Sequence, residues 1–136
     1  PRHRKRKRGK DMLIELLNID FESDEAIYMQ LHNQIILGIA TSRIREGDTL
    51  PSVRQMADLI GINMHTVSKA YSVLRDEGIL NIDRRGAVIR IDADKLCAVE
   101  ELKRELKFAL AKGFCKNISR EEVHVLIDEI FDEYGE

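Results

Sequence analysis

The feature that most constrains this sequence is the stretch from Leu50 to Lys69, LPSVRQMADLIGINMHTVSK. Ser52 and Gln55 have the spacing of a capping box, in which two side chains bind backbone N–H groups at the start of a helix. Gly61 can take the left-handed conformation that often ends a helix, and Asn63 is a favourable N-cap for the next one. The stretch therefore predicts a helix over 53–60, a short turn, and a third helix of the fold beginning after Asn63.

The third helix has a clear division between an inner and an outer face. Its apolar positions recur at helical spacing and predict an inner face formed by Val67, Ala70, Tyr71 and Leu74. The outer positions carry His65, Thr66, Ser68, Lys69 and Ser72. These are mostly short hydrogen-bonding side chains, whereas helices exposed only to solvent often carry Glu/Lys pairs. Because a glycine-containing turn holds two helices at a steep angle, the pattern predicts a recognition helix that presents its N-terminus to a DNA groove.

The flanking segments complete a winged helix-turn-helix over residues 12–92. A first helix is predicted from a cap at Ser23 or Asp24 to about Ile44, before the turn residues at 46–48. After Gly78, the runs 79–82 and 88–91 predict two short strands joined across 83–87. The expected fold class is mainly α with a small β-wing.

Residues 93–136 predict a pair of helices that forms a dimerisation hairpin. The first helix is expected from a cap at Asp94 through Lys112 and is ended by Gly113, and the second begins at a capping box of Ser119 and Glu122. The predicted dimer interface is an apolar stripe of Leu102, Leu106, Leu110, Val123, Ile127, Ile130 and Phe131. Two helices cannot bury both of their stripes against each other, so a second copy of the chain is the expected partner.

Charge is unevenly distributed along the chain, whose net charge is only −2. Residues 1–10 carry seven Lys/Arg and no acid, residues 11–42 carry six acids and no Lys/Arg, and residues 91–136 are again acidic. The segment 43–90 has eight basic against six acidic side chains, which favours a polyanion as its partner. The basic tail 1–11 is expected to be either a disordered arm that binds phosphates or an extension preceding a natural start at Met12.

Other kinds of site are not predicted. The sequence has no cysteine or histidine spacing typical of a metal site, no nucleophile–base grouping and no glycine-rich phosphate loop, so neither catalysis nor a cofactor is expected. Cys97 and Cys115 are expected to be free thiols and His32 a surface residue. No apolar run approaches the roughly 20 residues of a membrane span, and a cytoplasmic protein is expected.

The block from Gly47 to Ala57, GDTLPSVRQMA, resembles the GntR family of bacterial transcription regulators. Thr66-Val67, Ala70-Tyr71 and the segment from Leu74 to Gly78 continue the resemblance, which covers about 19–91. The stretch Asn63 to Val67 and the short two-helix C-terminus resemble the YtrA subfamily. Members of that subfamily are small dimeric repressors that often act on transporter operons.

The resemblance implies roles for individual residues. It implies that Arg54 projects to the DNA, and that the groove-facing positions of the recognition helix are Asn63, His65, Thr66 and Ser68. It places Arg84, Arg85 and Gly86 at the tip of the wing, near the minor groove. With Ser52 and Lys69, these residues form the predicted DNA-binding set. Met64 and Ser68 stand where many relatives have arginine, and the wing lacks the usual G-x-G-T-F.

The sequence thus predicts a sequence-specific DNA-binding regulator that acts as a homodimeric repressor on a palindromic operator. The alternative is a winged-helix module that binds another protein and not DNA. A small-molecule effector stays open and unidentified, because the two C-terminal helices are expected to offer no enclosed pocket of the roughly 300 Å³ that ligands need.

Overall fold

The computed structural model describes residues 15–84 and 86–136. They belong to two compact units, one ending at Asp92 and the other spanning Ala93–Glu136. The predicted basic tail, the proposed start at Met12 and the wing residue Arg85 lie outside the described residues.

The first unit is a winged helix-turn-helix. Its elements are α1 (Ile27–Ala40), β1 (Thr49–Leu50), α2 (Val53–Ile60), α3 (Met64–Asp76), β2 (Leu80–Asp83) and β3 (Gly86–Ile89). The second unit contains α4 (Lys95–Cys115) and α5 (Arg120–Glu133). The predicted fold class, mainly α with a small β-wing, is confirmed.

The caps predicted for the helix-turn-helix are present. The Ser52 hydroxyl accepts from the Gln55 N–H at 3.2 Å, and the Gln55 side chain accepts from the Ser52 N–H at 3.1 Å. Gly61 ends α2 with φ 77°, a left-handed conformation that glycine adopts without a steric penalty. Asn63 then caps α3, its Oδ1 accepting from the His65 N–H at 2.7 Å. Local sequence chemistry therefore sets both ends of the turn.

The core of the first unit forms around α3. All four residues of its predicted inner face are buried, and α3 packs against α1, α2 and β2. The buried apolar side chains of this core are Leu31, Ile35, Ile44, Leu50, Met56, Ala57, Val67, Ala70, Tyr71, Leu74, Leu80, Ala87 and Ile89. Burial of one face of α3 leaves its other face to solvent.

Tyr71 joins α3 to the start of α2. Its ring is almost completely buried, and its hydroxyl donates to the Pro51 carbonyl oxygen at 2.7 Å. Pro51 directly precedes the capping box of α2. Burial raises the pKa of the Tyr71 phenol well above its usual range, so the hydroxyl stays protonated and remains a donor.

The sheet contains one strand that the sequence did not predict. β1 pairs antiparallel with β3, matching Thr49 with Val88, and the strand order is β1-β3-β2. A two-residue strand has no alternating pattern to reveal it, because only its pairing with β3 defines it. The predicted wing strands were also displaced: they span 80–83 and 86–89 and not 79–82 and 88–91.

The predicted start and end of the first helix were wrong. α1 begins after Ala26, whose side chain makes no capping bond, and the Ser23 hydroxyl accepts from the Glu25 N–H instead. The helix ends at Ala40 and not at Ile44, which folds back to make its own N–H bond to the Gly38 carbonyl. A turn that buries Ile44 thus takes the place of the last residues of the predicted helix.

His32 is buried and not on the surface as predicted, with only 8% of the residue exposed. Its Nε2 pairs with a Glu77 carboxylate oxygen at the end of α3, and its Nδ1 lies 2.8 Å from the Asn33 Oδ1. The pairing connects α1 to the C-cap of α3. Its partner is 45 residues away along the chain, so local periodicity could not reveal it.

In the second unit, α4 continues through Gly113, which was predicted to end it, and stops at Cys115. Asn117 takes the left-handed position with φ 67°. The Ile118 N–H then bonds the Gly113 carbonyl, and the Asn117 N–H bonds the Phe114 carbonyl, as in a Schellman motif. The predicted caps of Asp94 and of Ser119 with Glu122 are present.

Neither α4 nor α5 has a buried residue. The two helices form an open cleft of about 630 Å³ with mainly apolar walls. Its lining residues are Leu110, Ala111, Phe114, Ile118, Ser119, Arg120, Val123, His124 and Ile127. Three of these, Leu110, Val123 and Ile127, belong to the predicted dimer stripe.

Substitution of Tyr71 by Phe tests the bond between α3 and Pro51. It removes the hydroxyl and keeps the buried ring, so the free energy of unfolding should fall by about 0.5–1.5 kcal/mol. Urea unfolding followed by circular dichroism measures the change, with Tyr134→Phe in the second unit as the control. An unfolding free energy equal to that of the parent would show that the bond to Pro51 contributes nothing.

The raised pKa of Tyr71 also predicts a loss of stability at alkaline pH. The unfolded chain ionises this phenol near pH 10, whereas the folded chain keeps it protonated and so binds more protons. The free energy of unfolding should therefore decrease as pH rises above about 10. Tyr71→Phe lacks this contribution, and its stability should fall less steeply between pH 9 and about 11. Parallel slopes for the two proteins would contradict the assignment.

Candidate nucleic-acid interface

The N-terminal part of α3 exposes to solvent most of the residues that were predicted to contact DNA bases. Asn63, His65, Ser68 and Lys69 are exposed, while Thr66 is half-buried. The exposed residues include one that the predicted set omitted, Met64, which is 44% exposed in the first turn. An apolar side chain there can contact a thymine methyl group, which is one of the means of reading the major groove. The sequence signal for this role of Met64 was that many relatives have arginine at the same position.

Two of the predicted DNA-binding side chains already act as helix caps. The Asn63 Oδ1 binds the His65 N–H, which leaves the side-chain NH₂ group as a donor. The Ser52 hydroxyl oxygen accepts from Gln55, which leaves its O–H as a donor. Both caps lie where a helix N-terminus presents backbone N–H groups and a partial positive charge. This arrangement suits phosphate oxygens.

Arg54 is the second residue of α2 and is exposed. None of the described residues forms an ion pair with its guanidinium group. An unpaired guanidinium can bind the O6 and N7 atoms of guanine through two parallel hydrogen bonds, or it can bind a phosphate. The exposure of Arg54 is compatible with both.

The charged side chains of α3 are arranged by sign. Lys69 is the only lysine, arginine or carboxylate of this helix before Arg75, and the carboxylates of Asp76 and Glu77 follow at the opposite end. Arg75 pairs with Asp76 at 3.4 Å, and Glu77 pairs with His32. Because the carboxylates are at the C-terminal end, the N-terminal half of α3 has no negative side chain to repel a phosphate backbone.

The wing is a tight hairpin that follows α3. Asp83 pairs with Gly86 at the end of the β2–β3 ladder, and Arg84 directly follows β2. Gly86 was predicted to lie at the tip, but it is the first residue of β3, where it has φ 102°. Glycine is required there because other residues rarely adopt this conformation. Arg84 is exposed, and the predicted contact of Arg85 lies outside the described residues.

Metal-ligating clusters and membrane spans are both absent from the part of the chain that the structure describes. This part contains no group of three or more His, Cys, Asp or Glu side chains that could hold a metal ion. None of its helices combines the length and the apolar composition needed to cross a membrane.

The fold and the exposed N-terminus of α3 define a winged-helix transcription regulator that binds DNA. The sequence model described as bacterial regulatory proteins of the gntR family matches residues 24–89. The chain belongs to the GntR family. The family resemblance predicted from the residues 47–57 is confirmed.

Two curated relatives from Bacillus subtilis (strain 168) resemble most of this chain. The HTH-type transcriptional repressor YtrA is 36% identical over 120 residues, which are 85% of this chain and 92% of the relative. The uncharacterized HTH-type transcriptional regulator YhcF is 37% identical over 98 residues, which are 72% of this chain and 79% of the relative. The likeness to YtrA extends beyond the DNA-binding domain and confirms the predicted subfamily.

Solved structures show the same likeness. A transcriptional antiterminator from Listeria monocytogenes EGD-e has a TM-score of 0.75 and 30% identity, over 88% of this chain and 93% of that chain. YtrA from Sulfolobus acidocaldarius, a GntR-family transcription factor, has a TM-score of 0.58 and 33% identity, over 88% of this chain and 100% of that chain. The family and its named relatives are transcription regulators and not enzymes.

Arg54→Ala tests whether this arginine reads a base. If the guanidinium binds a guanine edge, the change should weaken operator binding by about 1–3 kcal/mol and relax the preference at one base pair. Fluorescence anisotropy with a set of single-base operator variants measures both effects, and Arg104→Ala on α4 is the control. Equal weakening on every sequence would mean that Arg54 contacts only phosphate.

Replacing Arg84 and Arg85 together by Ala tests the wing. Two adjacent charges on a short hairpin suit phosphate or minor-groove contacts, so the double variant should stay folded and bind DNA with a weaker salt dependence. The slope of log affinity against log salt should become shallower by about 0.9 for each phosphate that the variant no longer neutralises. The matched control is Arg104→Ala with Lys112→Ala. A slope equal to that of the parent would remove the wing from the interface.

Proposed function

We propose that this protein is a homodimeric, sequence-specific repressor that binds a palindromic DNA operator. In this proposal residues 12–92 bind DNA and residues 93–136 form the dimer. Ser52, Arg54, Asn63, His65, Thr66, Ser68, Lys69, Arg84, Arg85 and Gly86 make the DNA contacts. The observation that carries the dimer is the second unit, which has two well-capped helices and no buried residue on either.

The proposed interface is the apolar stripe of α4 and α5. On α4, Leu102, Leu106 and Leu110 recur at every fourth residue, and all three are more than 40% exposed. On α5, Ile130 and Phe131 are 44% and 52% exposed. Full burial of such side chains is worth roughly 1.5–3 kcal/mol each, so a partner that covers the stripe gains considerable free energy. A second copy offers a matching stripe at the same concentration as the first.

A two-fold dimer also explains how modest DNA contacts can suffice. Each recognition helix reads only one half-site, and two-fold symmetry would set the two helices about one DNA turn apart, near 34 Å. Binding of the first half-site raises the effective concentration of the second reading helix. An operator with inverted half-sites is the sequence that such a dimer recognises.

Repression is the proposed outcome of binding. The likeness to YtrA of Bacillus subtilis, which is named a repressor, supports this proposal. That likeness covers 92% of the relative's length. A DNA-binding dimer can repress simply by occupying a promoter. The target is proposed to be a transporter operon, as the subfamily resemblance of the sequence implies, and the place of action the bacterial cytoplasm. No cofactor is needed for this function, and a small-molecule effector would act on the dimer as an additional partner.

Ile130→Glu tests the dimer and its role in DNA binding together. The charge lies at the centre of the stripe, so the variant should be monomeric at micromolar concentration with a folded winged helix. It should bind an operator, obtained by in vitro selection from random duplexes, much more weakly than the parent protein. Sedimentation velocity and fluorescence anisotropy measure the two effects.

The matched control is Val125→Glu, because Val125 is 56% exposed and the helical repeat of 3.6 residues per turn places it on the side of α5 away from the stripe. This variant should remain dimeric and bind the selected duplex as the parent does. A parent protein that sediments as a monomer, or an Ile130→Glu variant that stays dimeric, would place the interface elsewhere. Selection that enriches no sequence would contradict sequence-specific binding.

A further inference from the structure

Lys69 is the one lysine or arginine of α3 that lies before its last turn, and it stacks on an aromatic ring. Its ammonium nitrogen lies 4.0 Å from the centroid of the Tyr28 ring. Tyr28 is the second residue of α1, a helix outside the helix-turn-helix. No sequence pattern indicates this contact, since the two residues are far apart along the chain and neither stands in a charge pattern.

The Tyr28 ring is a rigid platform for the ammonium group. Tyr28 is half-buried and packs against the apolar core that α1 and α3 share. Lys69 by contrast is exposed, and its four-carbon side chain would sample many rotamers in water. The negative face of the aromatic ring attracts the cation and restricts it to one side of α3.

An aromatic partner leaves the charge of Lys69 available to DNA, whereas an acidic partner would neutralise it. A carboxylate would neutralise the lysine and compete with a phosphate for its N–H groups. A ring holds the ammonium through its quadrupole and leaves the full charge and several N–H donors available. Among the described residues, no carboxylate pairs with Lys69.

We propose that Tyr28 is a positioning residue that holds Lys69 ready to bind a DNA phosphate beside the bases read by α3. The proposal rests on DNA binding through α3 and adds α1 to the machinery of binding. Because the lysine is already ordered before DNA binds, less conformational entropy is lost on binding. Preorganised sites generally gain affinity in this way. The contact would strengthen binding without changing which bases are preferred.

The test is a double-mutant cycle on the full chain. The proteins are the parent, Tyr28→Phe, Tyr28→Leu, Lys69→Met and the Tyr28→Leu/Lys69→Met double variant. Each is titrated against the selected operator duplex and against a random duplex of equal length, over a range of salt concentrations. Thermal unfolding by circular dichroism verifies that every variant is folded at the temperature of the titration.

Lys69→Met should weaken binding to both duplexes and make the salt slope shallower by about 0.9 for each copy of the chain on the DNA. Tyr28→Leu should weaken binding by about two- to fivefold when Lys69 is present, which corresponds to an exposed cation–π contact. In the Lys69→Met background, Tyr28→Leu should have no further effect. Tyr28→Phe keeps the ring and should bind as the parent does.

Three results would overturn the proposal. If the effects of Tyr28→Leu and Lys69→Met multiply independently, the ring does not act through the lysine. If Tyr28→Phe is as weak as Tyr28→Leu, the hydroxyl contacts DNA itself. If Lys69→Met leaves the salt slope unchanged, Lys69 meets no phosphate, although the operator can still be bound. Failure of the proposed function would give a different result: the in vitro selection would enrich no duplex that the protein prefers.

Should Tyr28→Leu not fold, a fluorinated phenylalanine at position 28 replaces it. Fluorine substituents withdraw electron density and weaken the negative potential at the ring face, and the size of the ring changes little. The fluorinated variant should then show the two- to fivefold weakening in the presence of Lys69 and none in the Lys69→Met background. Parent-like binding by the fluorinated variant would overturn the proposal.

Discussion

The structure depends most on the anchoring of the recognition helix by Tyr71. One residue places its ring in the core and its hydroxyl on the Pro51 carbonyl, immediately before the capping box of α2. The bond therefore relates the middle of α3 to the start of α2, and the left-handed Gly61 closes the turn between them. With the apolar face of α3 buried, the exposed residues before Tyr71 are held outward in fixed positions. DNA reading by a helix requires such rigidity, because base edges are recognised by side chains at fixed positions.

Electrostatics complements this packing. The N-terminal half of α3 has a lysine and no carboxylate, and the exposed guanidinium of Arg54 extends from α2. The acidic residues at the end of α3 are used in structure, since Glu77 pairs with the buried His32 of α1. The same helix thus has one end suited to a polyanion and another that fastens it to the core. Tyr28 and His32, both on α1, contact Lys69 in the middle of α3 and Glu77 at its C-cap, so α1 holds α3 at two points.

Local chemistry made much of the fold predictable, and long-range contacts limited the rest. Ser52, Gly61 and Asn63 define α2 and the start of α3 because capping depends on residues within three positions. The inner face of α3 followed from its periodicity. By contrast, β1 exists only through pairing with β3, His32 is buried by a partner 45 residues away, and α4 passes Gly113 because Asn117 supplies the left-handed turn. For the site, exposure of Arg54 and His65 was predictable, whereas the contact between Tyr28 and Lys69 depends on how α1 packs on α3.

The central claim is that the N-terminus of α3 reads the major groove of a symmetric operator. A crystal structure of the protein with its selected duplex tests this claim most directly. We expect two copies related by a two-fold axis, with residues 63–69 of each in successive major grooves about 34 Å apart and the α4 and α5 stripes in contact. A complex in which α3 faces away from the DNA, or in which a single copy binds an asymmetric site, would contradict it.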